Sequence, residues 1–162
     1  MISKTLESAL NRQINREFYS EFLYLSMSAY FESIFLKGFA KWMKIQANEE
    51  HAHALKIYDF VIARGGTVTL DALEAPKGKW TSAGKVFEEA CAHEQKVTGY
   101  INAIVDLAIK EKDHATFEFL QWFVREQVEE EAGTTDIHSQ IKIVGDITGH
   151  LFYLDHHLGK RE

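Results

Sequence analysis

Gln46-Ala47-Asn48-Glu49-Glu50-His51-Ala52-His53-Ala54 lies inside a run whose residues, followed in steps of three and four, read Phe39, Met43, Gln46, Glu50, His53, Ile57, Phe60. That spacing is one face of an α-helix, and aromatic or aliphatic residues flank the polar ones on it. Three other runs share the pattern: Leu10, Ile14, Glu17, Ser20, Tyr24, Met27, Phe31; Phe87, Ala90, Glu94, Val97, Ile101, Ile104; and Phe119, Phe123, Gln127, Glu130, Thr134, Ile137, Ile141. Four apolar stripes are thus interrupted near mid-length by acids, amides or a histidine. None of these groups can be solvated without exposing its stripe.

The interruptions are evenly spaced. Glu17 lies 33 positions before Glu50, and Glu94 lies 33 before Gln127. The second set repeats the first at an offset of 77, which carries Glu17 to Glu94, Glu50 to Gln127 and His53 to Glu130.

Pro76 is the sole proline, so long uninterrupted helices are expected. The spacing predicts helices over about 4–34, 38–64, 82–110, 114–144 and 147–158, with a short link near Leu36 and Lys37. Ser82 and Asp113 suit N-caps, Gly65-Gly66 ends the second helix, and Gly145-Asp146 breaks the fourth. Short links make the first and second helices, and the third and fourth, antiparallel hairpins. The irregular stretch 67–81 is long enough to cross the bundle, about 50 Å when extended, and to start the third helix parallel to the second. The expected architecture is all-α: one domain over 1–162, a four-helix bundle with a long crossover and a short fifth helix.

Composition narrows the function. At 46% hydrophobic and 26% charged residues the chain reads as globular rather than disordered. A net charge of −6 argues against a nucleic-acid-binding face. One cysteine, Cys91, allows neither an intrachain disulfide nor a Cys-x-x-Cys metal site. No run approaches the ~20 apolar residues of a membrane span, and residues 1–18 lack the apolar run of a secretory signal, so a cytoplasmic location is expected.

Depth brings Glu17, Glu50, Glu94 and Gln127 to one level, half-way along the bundle. Several carboxylates there would repel one another and cost several kcal/mol each. Protonation relieves part of this, and a pair of divalent cations relieves it more completely. Single carboxylates on two helices with a Glu-x-x-His on a third are a known way for a bundle to hold two iron ions. Glu7, Glu32, Glu88, Glu89, Glu111 and Glu118 read instead as solvated surface.

The segments Asn15-Arg-Glu-Phe-Tyr-Ser-Glu-Phe-Leu-Tyr24, Asn48-Glu-Glu-His-Ala-His53, His93-Glu94 and Glu126-Gln-Val-Glu-Glu-Glu131 resemble the bacterial haem-free ferritins. The resemblance implies a shell of twenty-four subunits. It implies a first iron site of Glu17, Glu50 and His53, and a second of Glu94, Glu130 and the shared Glu50, with Gln127 close by. A third iron site beside the pair is implied at Glu49, Glu126, Glu129 and Glu130. Tyr24 resembles the family's tyrosine near the diiron centre, and a core aromatic is its plainer reading. Two departures separate the chain from bacterioferritins: Gln127-x-x-Glu130 replaces a second Glu-x-x-His, and His51 stands where their haem-ligating methionine would be, so no haem is expected.

The function implied is iron storage with ferroxidase chemistry, Fe²⁺ being oxidised to Fe³⁺ by dioxygen (or hydrogen peroxide) at a diiron centre and laid down as ferric mineral. The alternatives are a diiron oxidase or oxygenase acting on an organic substrate, a rubrerythrin-like peroxidase, which the lack of cysteine pairs disfavours, and a helical interaction protein whose polar layer sets register. His150, His156 and His157 read as surface or intersubunit groups, and Tyr30, Phe35, Trp80 and Leu154 as apolar residues free for contacts between subunits.

Overall fold

The computed structural model describes residues 1–145 and 148–162. The expected break at Asp146 and helix start at Ile147 lie outside the described residues. Five helices occur among those described: α1 Lys4–Ser33, α2 Lys37–Ala63, α3 Ala83–Glu111, α4 His114–Val144 and α5 Thr148–Leu158. No strand accompanies them, and none of the described helices is long and apolar enough to cross a membrane. The fold class is the all-α four-helix bundle read from the stripes.

Local chemistry explains most helix ends. The Ser3, Ser82 and Asp113 side chains accept hydrogen bonds from the Leu6, Lys85 and Thr116 amides and so cap α1, α3 and α4. Gly65, at φ +71°, closes α2, where the amides of Gly65 and Gly66 bond back to Ile62 and Val61. The α1–α2 link uses no glycine. Phe35 takes φ +62°, and α2 starts at Lys37, inside the stretch expected to be the link. Leu36 provides no side-chain cap; Asp155 of α5 does so instead, accepting the Phe39 N–H at 2.9 Å.

Contacts across the bundle set the topology. Ser28 near the end of α1 donates to the Ala40 carbonyl at the start of α2, while the Ile2 amide reaches Arg64 at the other end. The helices of that pair are antiparallel. α3 and α4 are likewise antiparallel, Cys91 facing His138 and Thr98 facing Glu131. The crossover runs along α1. Asn11 bonds Thr67 and Thr69, Asn15 bonds Thr69 and Asp71, and Ser26 holds Lys77. Four residues of helix advance about 6 Å and two of extended chain about 6.6 Å, so asparagines four apart meet carbonyls and amides two apart.

The buried apolar residues form two clusters. One centres on Tyr24, Phe31, Phe39, Met43 and Phe87, the other on Leu6, Leu10, Ile57, Ile101 and Phe123. Between them lies a layer of buried polar side chains. Two residues expected to be free for subunit contacts are instead core: Trp80 is 8% exposed and Leu154 4%. The Trp80 indole donates to Glu89, so Glu89 is a half-buried anchor of the crossover and not solvated surface.

Gly38 sits so close to α5 that a Cβ would lie 1.7 Å from the Asp155 carbonyl oxygen. Gly38→Ala should therefore push α5 off α2, and Asp155→Ala should cost about 1 kcal/mol by uncapping α2. Hydrogen exchange should show lost protection in α5 of Gly38→Ala with α1, α3 and α4 unchanged. Undiminished protection of α5 would show that it is not seated through this contact.

Candidate metal centre

Each stripe delivers its polar residues to the same layer. Glu17 on α1 and Glu94 on α3 are 1% exposed, Glu50 on α2 is 2%, and His53, Gln127 and Glu130 are also buried. Glu17, Glu50 and His53 offer ligand atoms all within 4.8 Å of one another, as do His53, Glu126 and Glu130. His53 therefore stands between two clusters, with its Nδ1 3.6 Å from Glu50 and its ring edge-on to Trp122 and Phe123.

Glu94 lies outside both clusters. Its carboxylate accepts hydrogen bonds from the Tyr24 hydroxyl and, at 3.3 Å, from the Gln127 amide, which also reaches Thr98. Tyr24 is fully buried, a core aromatic whose hydroxyl reaches the buried acid Glu94. Glu49, Glu126 and Glu129 line an open cleft of about 400 Å³ together with Glu130. Glu126 is half-buried, Glu129 exposed, and Glu49 is paired with Arg161 near the chain's end. The haem-position residue His51 is exposed and bonded to Glu21 at 3.0 Å.

Sequence reasoning did not single out the amides that hold these acids. Gln13 donates to Glu17 at 2.8 Å, and Gln46 to Glu130 at 2.5 Å and Glu50 at 3.4 Å. The signal was available: Gln13 and Gln46 are themselves 33 apart, each four residues before its glutamate. At the 77 offset the second half has Ala90 and Phe123, so no amide precedes Glu94 or Gln127 in this way. Arg161 carries no sequence signal at all.

The electrostatics are those of acids short of counter-charge. Burial, then the Glu50 carboxylate, raises the Glu17 pKa well above the usual range, and Glu17 Oε2 has no hydrogen-bond partner. Burial and then Glu94 and Glu130 raise Glu50 well above it. Glu94 is raised by burial, partly offset by Tyr24 and Gln127, and Glu130 is pushed up to about 8 by burial and then by Glu94. Burial also raises Tyr24, followed by Glu94. His93, hydrogen-bonded to Ser20, is lowered to about 4 by burial and stays neutral. A buried carboxylate oxygen without a partner, beside one more acid and an imidazole, is a donor set suited to divalent cations. Hard oxygen and one borderline nitrogen fit iron, and zinc as a redox-inert substitute.

The ferritin-like domain family matches residues 7–144. The chain is similar to the bacterial non-heme ferritin of Bacteroides fragilis (strain 638R), 46% identical over 161 residues covering 99% of this chain and 100% of that protein. A protein of the same name from Staphylococcus saprophyticus is 40% identical, with 99% and 96% covered. Among solved structures, an open pore ferritin from the hyperthermophilic archaeon Archaeoglobus fulgidus superposes with a TM-score of 0.99 at 49% identity, covering 100% of this chain and 99% of that one.

The raised acids make the metal-free fold sensitive to pH. A carboxyl whose pKa in the folded chain is raised from 4.5 to about 8 contributes stability that is complete below 4.5 and is lost as pH rises through 8. Thermal melting of metal-free protein from about pH 5 to 9 should show falling stability, with a smaller fall in Glu130→Gln. Identical pH profiles would mean that Glu130 is not held protonated.

Proposed function

The chain belongs to the ferritin-like family, and from that premise we propose that it is an iron-storing ferroxidase. Family and fold support iron storage. Binding of iron in the interior is supported chiefly by one observation, the partnerless Glu17 Oε2 buried beside Glu50 and His53, and the oxidation step rests on the family resemblance. We further propose that 1–162 acts as one domain in the cytoplasm and assembles into a shell of twenty-four, a reading that rests on the family resemblance.

Iron is the substrate. Fe²⁺ arriving at Glu17, Glu50 and His53, and at Glu130 with Glu94 and the shared Glu50, takes the place of protons on the raised carboxyls. Binding therefore releases protons, and affinity rises with pH through the range in which Glu130 titrates. Each Fe²⁺ gives up one electron and dioxygen accepts both, reaching the peroxide level. Carboxylate oxygens favour the ferric state because they are hard donors. Tyr24 and Gln127 hold Glu94 in place, as Gln13 and Gln46 hold Glu17 and Glu50. Water supplies oxide or hydroxide to the ferric product, which passes to a mineral core. Glu49, Glu126, Glu129 and Glu130 would receive a third iron in the cleft beside the pair.

Glu50→Ala and Glu130→Ala should each slow the initial rate of aerobic Fe²⁺ oxidation by at least about ten-fold, the range typical for losing a group that supports metal binding. Wild-type rates in both variants would remove the diiron assignment. For storage, many irons per chain should remain soluble and sediment with the protein, whereas retention of two would favour an oxidase of some organic substrate. A polar layer that only sets helix register would bind no stoichiometric iron.

A further inference from the structure

One cation already occupies the acidic cleft, and it comes from the last turn of the chain. The cleft between α2, α4 and α5 is lined by Glu49, Glu126, Glu129, Glu130 and Asp136, and Arg161 projects into it from beyond α5. The Arg161 side chain follows a single face of α2. Its guanidinium lies 4.5 Å from the Trp42 ring centre; it donates to the Gln46 amide oxygen at 3.0 Å and to Glu49 Oε2 at 2.5 Å. Positions 42, 46 and 49 are one helical stripe, so the contacts are made as a set. Among the described residues, neither Glu126 nor Glu129 forms an ion pair, and Arg161 is the cation that offsets this cleft.

Arg161 also reaches inward through Gln46. Because Gln46 Oε1 accepts from Arg161, its Nε2 must face the interior, where it donates to Glu130 and Glu50. The guanidinium thereby sets the orientation of an amide that would otherwise be free to present its oxygen to a metal. The tail is seated for this: Leu158 is buried, and Lys41 holds the Gly159 carbonyl at 3.0 Å.

We propose that Arg161 is a displaceable internal counter-ion of the cleft: it occupies Glu49 when no metal is present and must leave it before a third cation binds there. The inference rests on the third-site reading above. It makes Arg161 a positioning residue that sets how readily the cleft takes metal, and it couples the end of the chain to cleft occupancy. Release of Arg161 frees Gln46 to turn, so the filled cleft and the inner acids are linked through one amide. The pair is partly exposed, so its competition with metal amounts to a factor of about two to five in affinity.

The test is anaerobic calorimetric titration of the assembled, metal-free protein with Zn²⁺, in wild type, Arg161→Gln, Glu49→Gln and the double variant. Because Gln46 links Arg161 to Glu50 and Glu130, the inner binding steps should shift as well in Arg161→Gln, and they are resolved from the third step in each variant. The third step should tighten about two- to five-fold in Arg161→Gln. That gain should shrink in the Glu49→Gln background, where no carboxylate remains for which the guanidinium competes. An equal gain with and without Glu49 would mean that Arg161 acts only through its field, overturning displacement. A third step of wild-type strength in Arg161→Gln would also overturn it, leaving the third site standing. Absence of a third step in every variant would instead remove the third site, and this inference with it.

Discussion

Mutual repulsion among carboxylates held in a dry interior is the constraint on which this molecule depends. Glu17, Glu50, Glu94 and Glu130 reach one layer from four helices, with an apolar cluster on either side. The layer is buried, so the acids meet the cost of desolvation and of one another's charge together. Protons, amides and a tyrosine hydroxyl share the compensation, and still Glu17 Oε2 is left without a partner. An interior arranged this way is stabilised by whatever cation enters it, which ties folding energetics to cargo.

The helices are the means of enforcing that constraint. An acid on a loop would turn to solvent, whereas an acid at the centre of a long helix packed on both sides has nowhere to go. Hence the near-absence of proline, the Ser3, Ser82 and Asp113 caps, and a crossover pinned by Asn11, Asn15 and Ser26 along α1. α5 adds a second function. Asp155 caps α2 and the residues beyond carry Arg161 back to the acidic cleft, so the end of the chain is joined to the helix bearing Glu50 and His53.

Periodicity makes the inner layer legible in the sequence. Period and offset together specify face and depth, and face and depth decide burial; Glu17, Glu50, His53, Glu94, Gln127 and Glu130 followed from these alone. Caps were legible for the same reason, being local. What periodicity does not carry is rotamer and long-range contact. It did not reveal that Glu94 turns to Tyr24 and Gln127 while His53 faces two clusters. Nor did it show that Leu36 is capped from α5, or that Trp80 and Leu154 are core. Arg161 meets Glu49 across 112 positions of sequence, and no stripe encodes that.

Anomalous diffraction at the iron edge, from crystals soaked anaerobically with Fe²⁺, tests the buried acidic layer most directly. Two peaks about 3.5–4 Å apart should appear inside the bundle, one against Glu17, Glu50 and His53 and the other reaching Glu130. Iron confined to the outer surface, with the interior layer empty and its carboxyls unmoved, would contradict the premise that these residues converge to hold metal.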